Sequence, residues 1–317
     1  MKILIELPTW LGDTVMVTPA MDNIINHYNK PEITIIGSFV SIEIIKNHPK
    51  VVKAEVLKKN YISLYKIAKN LGQFDVYFSF RGSFRSRIFK LLISSKNKYQ
   101  FERNKYQNCH QVEKYNRFVN ESLNTDFKAS KLNINRNPET SLSKSAPIVG
   151  INPGASYGEA KRWYPEEFAE VGAKLSSHYN ILIFGGPNEE DIATDIENLL
   201  VEKGVSNYRN LAGKTSISEL VEHISNLDLF ITGDSGPMHL AASFQVPTVA
   251  IFGPTRDDET SQWMNEKSII VKKNIECQPC MQRTCPLQHH NCMSLIKAVD
   301  VLQAIKSFDH CINSAYP

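Results

Sequence analysis

The sequence predicts an α/β protein with two parallel sheets, each covered by helices. Three observations carry the prediction. Short apolar runs of strand length alternate with stretches whose apolar residues recur at helical spacing. That rhythm breaks near the middle of the chain and then restarts. In the second half each strand-like run ends in a loop rich in Gly, Pro, Ser or Asp, and ligands of open α/β sheets sit at the carboxyl ends of strands. With 317 residues, 42% of them hydrophobic, the chain can fill two cores.

The first strand is Lys2 to Leu7, followed by a loop from Pro8 to Asp13. A helix then ends near Asn29, with Met21, Ile24, Ile25 and Tyr28 on its apolar face. Thr18 could cap a helix that has Pro19 in its first turn, or Pro19 could kink a longer one. A strand at Glu32 to Ile36 follows, then helical stretches near Val40 to Asn47 and Tyr61 to Leu71. A strand at Phe74 to Phe78 and a helix from Ser83 to Ile93 complete this part. From Asn124 to Ala146 the residues Asn, Ser, Lys and Thr dominate, with Pro138 and Pro147 as punctuation, which reads as an inter-domain linker.

The second half opens with a strand at Ile148 to Ile151 and a loop from Asn152 to Trp163. Pro165, Glu166 and Glu167 suit the first turn of the next helix. A strand at Ile181 to Phe184 ends at Gly185-Gly186-Pro187. Ser216-Ile217-Ser218-Glu219 has the form of a capping box opening a helix to Asn226. Strands at Leu229 to Thr232 and Thr248 to Phe252 follow, and Ser294 to Phe308 reads as a final amphipathic helix. The domains read as 1–146, 147–293 and a C-terminal helix in 294–317.

A formal net charge of +3 is small for a protein devoted to nucleic acid. It suits an anionic small substrate or an anionic membrane surface. No run of about 18 apolar residues is present, and Lys2 to Leu7 is too short for an export signal. The expectation is a cytoplasmic protein with reduced thiols.

Five groups of residues could carry chemistry. Asp13, just after the first strand, could be a general base or a helix N-cap. Asn152 to Trp163 has Gly154 and Gly158 beside Lys161 and Arg162, which suits a diphosphate or a plain polar loop. Asp234-Ser235-Gly236-Pro237-Met238-His239 places a Gly turn where a strand gives way to a helix, so free N–H groups could meet an anion. His239 there could face a ligand or lie in the core. Cys277, Cys280, Cys285 and Cys292, with His289 and His290 among them, could hold structural zinc or remain free thiols. Arg81, Arg85 and Arg87 could meet anionic groups of an acceptor or line a solvated helix face.

Taken together, these segments resemble the ADP-heptose:lipopolysaccharide heptosyltransferases, glycosyltransferase family 9, and most of all their heptosyltransferase II branch. The resemblance rests on Trp10-Leu11-Gly12-Asp13, on Pro153-Gly154-Ala155 with Ala160-Lys161-Arg162-Trp163, and on Asp234 to Ala242. Phe252-Gly253-Pro254-Thr255 and Cys277-x-x-Cys280 with Cys285-Pro286 also fit. It implies a GT-B fold, two facing Rossmann-like domains with the acceptor on the first and the nucleotide sugar on the second. The final helix is then expected to cross back to the first domain.

The implied donor is ADP-L-glycero-D-manno-heptose. The implied acceptor is the heptosyl-Kdo-lipid A inner core, a lipid A-linked oligosaccharide at the cytoplasmic face of the inner membrane. The implied transfer is inverting and needs no metal cofactor. Asp13 matches the family's base and Lys161 the lysine that neutralises the diphosphate. Ser156 and Tyr157 fall where the family has small hydroxyl residues, from which Tyr157 departs. Glu189 stands where an acidic residue meets the nucleoside, and Asp234, Ser235, Gly236 and His239 match the donor turn. Two rival readings remain at this stage. One is a related enzyme with another nucleotide sugar or acceptor. The other is a zinc-containing nucleic-acid module built on the arginines and cysteines.

Overall fold

The computed structural model describes residues 1–58, 60–136 and 146–313, with side chains to residue 308. The chain divides into two units, Met1–Asn137 and Pro138–Pro317. The first runs β1 (Lys2–Glu6), α1 (Leu11–Met16), α2 (Thr18–His27), β2 (Glu32–Gly37), α3 (Phe39–Ile45) and β3 (Val51–Val56). It continues through α4 (Tyr61–Leu71), β4 (Gln73–Ser79), α5 (Phe84–Leu92), β5 (Ser94–Gln100) and α6 (Gln111–Leu123). The second runs β6 (Ile148–Asn152), α7 (Pro165–Leu175), β7 (Asn180–Ile183), α8 (Glu190–Glu202), β8 (Tyr208–Asn210) and α9 (Ile217–Ser225). Then come β9 (Leu229–Gly233), α10 (Gly236–Ser243), β10 (Thr248–Ile251), α11 (Asp257–Thr260), β11 (Ser268–Val271), α12 (Asn291–Ser294) and α13 (Ala298–Asn313).

The first sheet has the order β3-β2-β1-β4-β5 and every described pairing in it is parallel. Its central strand β1 needs an apolar residue on both faces, and Ile3, Leu4 and Ile5 are fully buried. Strand order reverses at β1: the chain moves to β2 on one side and later to β4 on the other. Such a switch point opens a crevice beyond the carboxyl ends of the two strands. α4 and α5 pack together, and Leu64, Ala68 and Phe89 join Leu4 and Tyr77 in one core cluster. Both helices start at side-chain caps. Asn60 accepts from the Ser63 N–H and Ser83 from the Ser86 N–H.

The second sheet has the order β11-β10-β9-β6-β7-β8, again parallel in every described pairing. Its switch point lies between β6 and β9. Asn152 stands beside Thr232, and Gly233 beside Ile251, so three strand ends emerge together. Trp163, Phe168 and Ile231 belong to the core beneath them.

Two expectations are sharpened. Val17 falls between α1 and α2, with Pro19 in the first turn of α2, so the chain makes two helices there and not one kinked helix. The division between the units falls inside the expected linker region, and the described stretch from Asn124 packs on the first unit. The Asn116 and Asn120 amides donate to the Phe127 carbonyl, and Leu132 and Ile134 are buried on the first unit. Residues 137–145, with Pro138, and the Cys311 side chain lie outside what is described. The described part of the last helix adds Val301 and Ile305 to the core of the second unit. Among the described residues, no helix is long and apolar enough to cross a membrane.

Candidate active site

In the first unit, the loop after β1 leads directly into α1, whose N-cap is Trp10 and has no side-chain cap bond. Asp13 lies in the first turn and is not the cap. Its carboxylate accepts a hydrogen bond from the Tyr115 hydroxyl on α6, at 3.2 Å. Burial, and then the Asp13 charge, push the Tyr115 hydroxyl well above the usual tyrosine range. The phenol therefore stays protonated and donates to Asp13.

A second carboxylate lies deeper at the same switch point. Glu6 ends β1 with 1% exposure and accepts from the hydroxyls of Tyr77, at 2.6 Å, and Ser79, at 2.7 Å. Ser86 donates to it as well. Arg81 stands 3.8 Å from Glu6 and partly offsets its charge. Arg85 spends a donor on the Lys58 carbonyl, which ties the start of α5 to the loop before α4. Both arginines thus do structural work at this edge. Arg87 is exposed on α5.

In the second unit, the loops after β6, β9 and β10 converge. Lys161, in a short 3₁₀ turn, places its ammonium 2.5 Å from Asp234 Oδ2, with the two side chains 12% and 6% exposed. Thr255, after β10, donates to the same oxygen at 2.6 Å. The Lys161 ammonium also lies over the Tyr157 ring, 4.7 Å from its centre, and the Arg283 guanidinium lies 5.3 Å from the same ring. Tyr157 is therefore an aromatic plate with two cations against it, a role for which the sequence offered no signal.

Asn152 draws the β6 and β9 loops together through the Gly154 carbonyl, Thr232 and Ser235, at 3.2–3.4 Å. Ser235 is the N-cap of α10, and its hydroxyl also lies 3.1 Å from Thr232. With Gly236 it is half-buried at that helix start, where backbone N–H groups lack helical partners. Ser156 is exposed on the loop. His239 is 3% exposed, in the first half of α10. Glu189 is 8% exposed and accepts from the Gly186 N–H at 2.8 Å.

The Glu189 carboxylate packs so closely on Gly154 that a Cβ there would overlap it. Gly154→Ala is therefore expected to displace the Glu189 carboxylate and to lower stability by about 1–3 kcal/mol in a urea titration. Unchanged stability would show that the loop yields without strain.

The cysteine segment braces the Lys161 loop. The Ala160 N–H donates to the Arg283 carbonyl at 3.0 Å, and Tyr157 donates to the Met281 carbonyl at 2.6 Å. His290 Nε2 lies 2.9 Å from the Ala160 carbonyl. Gly158 permits this approach, because a Cβ there would strike the Arg283 backbone. Cys277, Cys280, Cys285 and Cys292 line one cavity of about 20 Å³. Burial, then the neighbouring thiols, push Cys292 up to about 11. Among the described residues, no three His, Cys, Asp or Glu side chains are placed to hold a metal ion, so the zinc ligand set is not assembled here.

Residues 66–291 match glycosyltransferase family 9 (heptosyltransferase). The chain belongs to glycosyltransferase family 9. Within this family it is 44% identical, over 97% of its length and 98% of the relative's, to lipooligosaccharide heptosyltransferase 2 of Campylobacter jejuni. A second Campylobacter jejuni protein of that name, from another serotype, is 41% identical over 96% of this chain and 98% of its own. Among solved structures, Escherichia coli ADP-heptose lps heptosyltransferase II superposes with a TM-score of 0.81 at 21% identity, over 97% of this chain and 98% of that one. The E. coli heptosyltransferase WaaC with ADP gives 0.76 at 15% identity, over 97% and 99%. These likenesses bear out the two parallel-sheet α/β domains of the GT-B fold. The family assignment does not favour the nucleic-acid module.

Proposed function

We propose that this family 9 glycosyltransferase moves L-glycero-D-manno-heptose from ADP-heptose to a heptosyl-Kdo-lipid A acceptor, with inversion, in the synthesis of the lipopolysaccharide or lipooligosaccharide core. The observation that carries this reading is the 44% identity, end to end, with a lipooligosaccharide heptosyltransferase 2. The site chemistry supports it. The second unit offers the donor a lysine held in place by Asp234 and Thr255, beside the start of α10. The first unit offers the acceptor a carboxylate at its switch point, held by a protonated tyrosine.

In this reading an acceptor hydroxyl oxygen attacks the anomeric carbon of the heptose. The bond from that carbon to the β-phosphate oxygen breaks, and the electron pair leaves with ADP. Asp13 takes the hydroxyl proton. Lys161 and the N–H groups at Ser235 and Gly236 offset the charge that grows on the diphosphate. Glu189 meets the nucleoside, and Arg81 and Arg85 meet anionic groups of the acceptor. Asp13, Lys161, Glu189, Ser156 and the Asp234 turn thus keep the roles their family positions imply, and His239 supports the turn from within.

The test is turnover with a panel of nucleotide sugars and purified heptosyl-Kdo-lipid A. Transfer from ADP-heptose, at least a hundredfold faster than from any UDP- or GDP-sugar, is the expected result. Turnover of a UDP-sugar with none from ADP-heptose would overturn the donor assignment.

A further inference from the structure

The first unit carries an apolar and basic surface that none of its own elements covers. On α4, Leu64 and Ala68 face the sheet, while Ile62, Tyr65, Lys66 and Lys69 share the opposite side at helical spacing. Ile62 is 72% exposed and Tyr65 55%. On α5, Phe89 faces the sheet, while Phe84, Arg87 and Leu91 form an outward stripe. Phe84 is 73% exposed and Leu91 80%. The two helices pack against each other, so the stripes lie on neighbouring ridges of one surface. Isolated exposed apolar residues are ordinary, but large ones clustered on adjacent helices mark a contact surface.

Charge decides what the surface contacts. α4 and α5 contain Lys66, Lys69, Arg85, Arg87 and Lys90 and no acidic residue. The loops that lead into them add Lys58 and Arg81, again without an acid. The whole chain, by contrast, is nearly balanced, with 36 basic and 33 acidic residues. A protein partner with an apolar face would be served by either sign of charge. Apolar and tyrosine side chains set among lysines and arginines match an interface that is greasy below and anionic above. Tyr61 and Tyr65 have the amphipathic rings that settle at headgroup depth, and the lysine stems can lie along the apolar layer with their ammonium groups in the headgroups.

We propose that the outer faces of α4 and α5 dock this protein on the surface of an anionic lipid bilayer. Both helices start at the carboxyl edge of the first sheet, the edge whose β1 loop carries Asp13. Docking there keeps that edge beside the membrane surface. The docking surface deepens the proposed function and rests on it in one respect, that the acceptor there carries a lipid.

The test uses vesicles without acceptor, so it stands apart from the transfer assay. The full chain is sedimented with vesicles of phosphatidylcholine alone or with 30 mol% phosphatidylglycerol. The expected result is partitioning at least tenfold stronger to the anionic vesicles, lost in 1 M salt. Lys66→Gln with Lys69→Gln should weaken it about 25-fold, at roughly fivefold per charge. Ile62→Ser with Leu91→Ser should weaken it at least tenfold on the same vesicles. All four positions are exposed and outside the catalytic machinery, so transfer to detergent-dispersed acceptor should stay within twofold of the parent. Equal binding to both vesicle types, no binding to either, or full binding by the variants would overturn the docking surface. Retention on a soluble polyanion such as heparin, without vesicle binding, would overturn it too. None of those outcomes touches the donor and acceptor assignment, which fails only in the nucleotide-sugar panel.

Discussion

Asp13→Asn is expected to lower kcat for heptosyl transfer by a factor of about 10² to 10⁴, the range a positioned general base contributes. The substitution changes little else. Asparagine has the same size and can still accept from Tyr115, whose hydroxyl lies 3.2 Å from the carboxylate. The residue is in the first turn of α1, where losing a negative charge costs the helix only about 0.3–1 kcal/mol. Nor is Asp13 a cap whose removal would fray the helix, since the N-cap is Trp10. Folding should therefore survive while proton acceptance is lost. ADP affinity should be unchanged, because the groups proposed to hold the nucleotide are on the second unit. The measurement is kcat at saturating donor beside calorimetric ADP binding. A kcat within fivefold of the parent would show that Asp13 is not the base. A parallel loss of ADP affinity would show damage beyond the proton step.

How much of this was readable in advance depends on whether the signal is local. The fully buried strands announce themselves: Ile3, Leu4 and Ile5 in β1, and Leu229 to Ile231 in β9, are apolar runs that only a covered parallel sheet can use. The Ser216–Glu219 capping box was legible, and both of its reciprocal bonds are present. Edge strands were not. β5, with the sequence SSKNKYQ, has no apolar alternation and is a strand because β4 supplies a partner in register. β3 is half-exposed on the opposite edge for the same reason. α6 did carry a readable signal, because Val112, Tyr115, Phe118 and Val119 recur at helical spacing. Neither this helix nor the tyrosine that holds Asp13 is among the expectations above. That contact joins residues 102 positions apart, and no spacing rule announces such a pair. Arg283 is hidden in the same way, in a turn-rich segment notable only for its cysteines.

Lys161→Ala tests the donor site and should have the larger effect of the pair it belongs to. Its ammonium sits 2.5 Å from Asp234, and both side chains are largely buried. Removing one partner of a buried pair leaves an uncompensated charge, which typically costs 3–5 kcal/mol, or about the lower end here because Lys161 keeps 12% exposure. It also reverses the local field. Asp234 would remain, with the Thr255 hydroxyl on its Oδ2, in the path of an incoming diphosphate. Transfer should fall by about 10² to 10³, the scale of losing one charge-stabilising donor, and the apparent KM for the nucleotide sugar should rise. Stability and catalysis can then be separated. Lys161→Ala with Asp234→Ala removes the stranded charge, so the double variant should regain most of the lost stability in a urea titration. It should not regain transfer, because no cation replaces the ammonium beside the diphosphate. Recovery of both would make the pair a structural brace alone. Recovery of stability without transfer would place the lysine at the leaving group, with Asp234 and the Tyr157 ring as the frame that aims it.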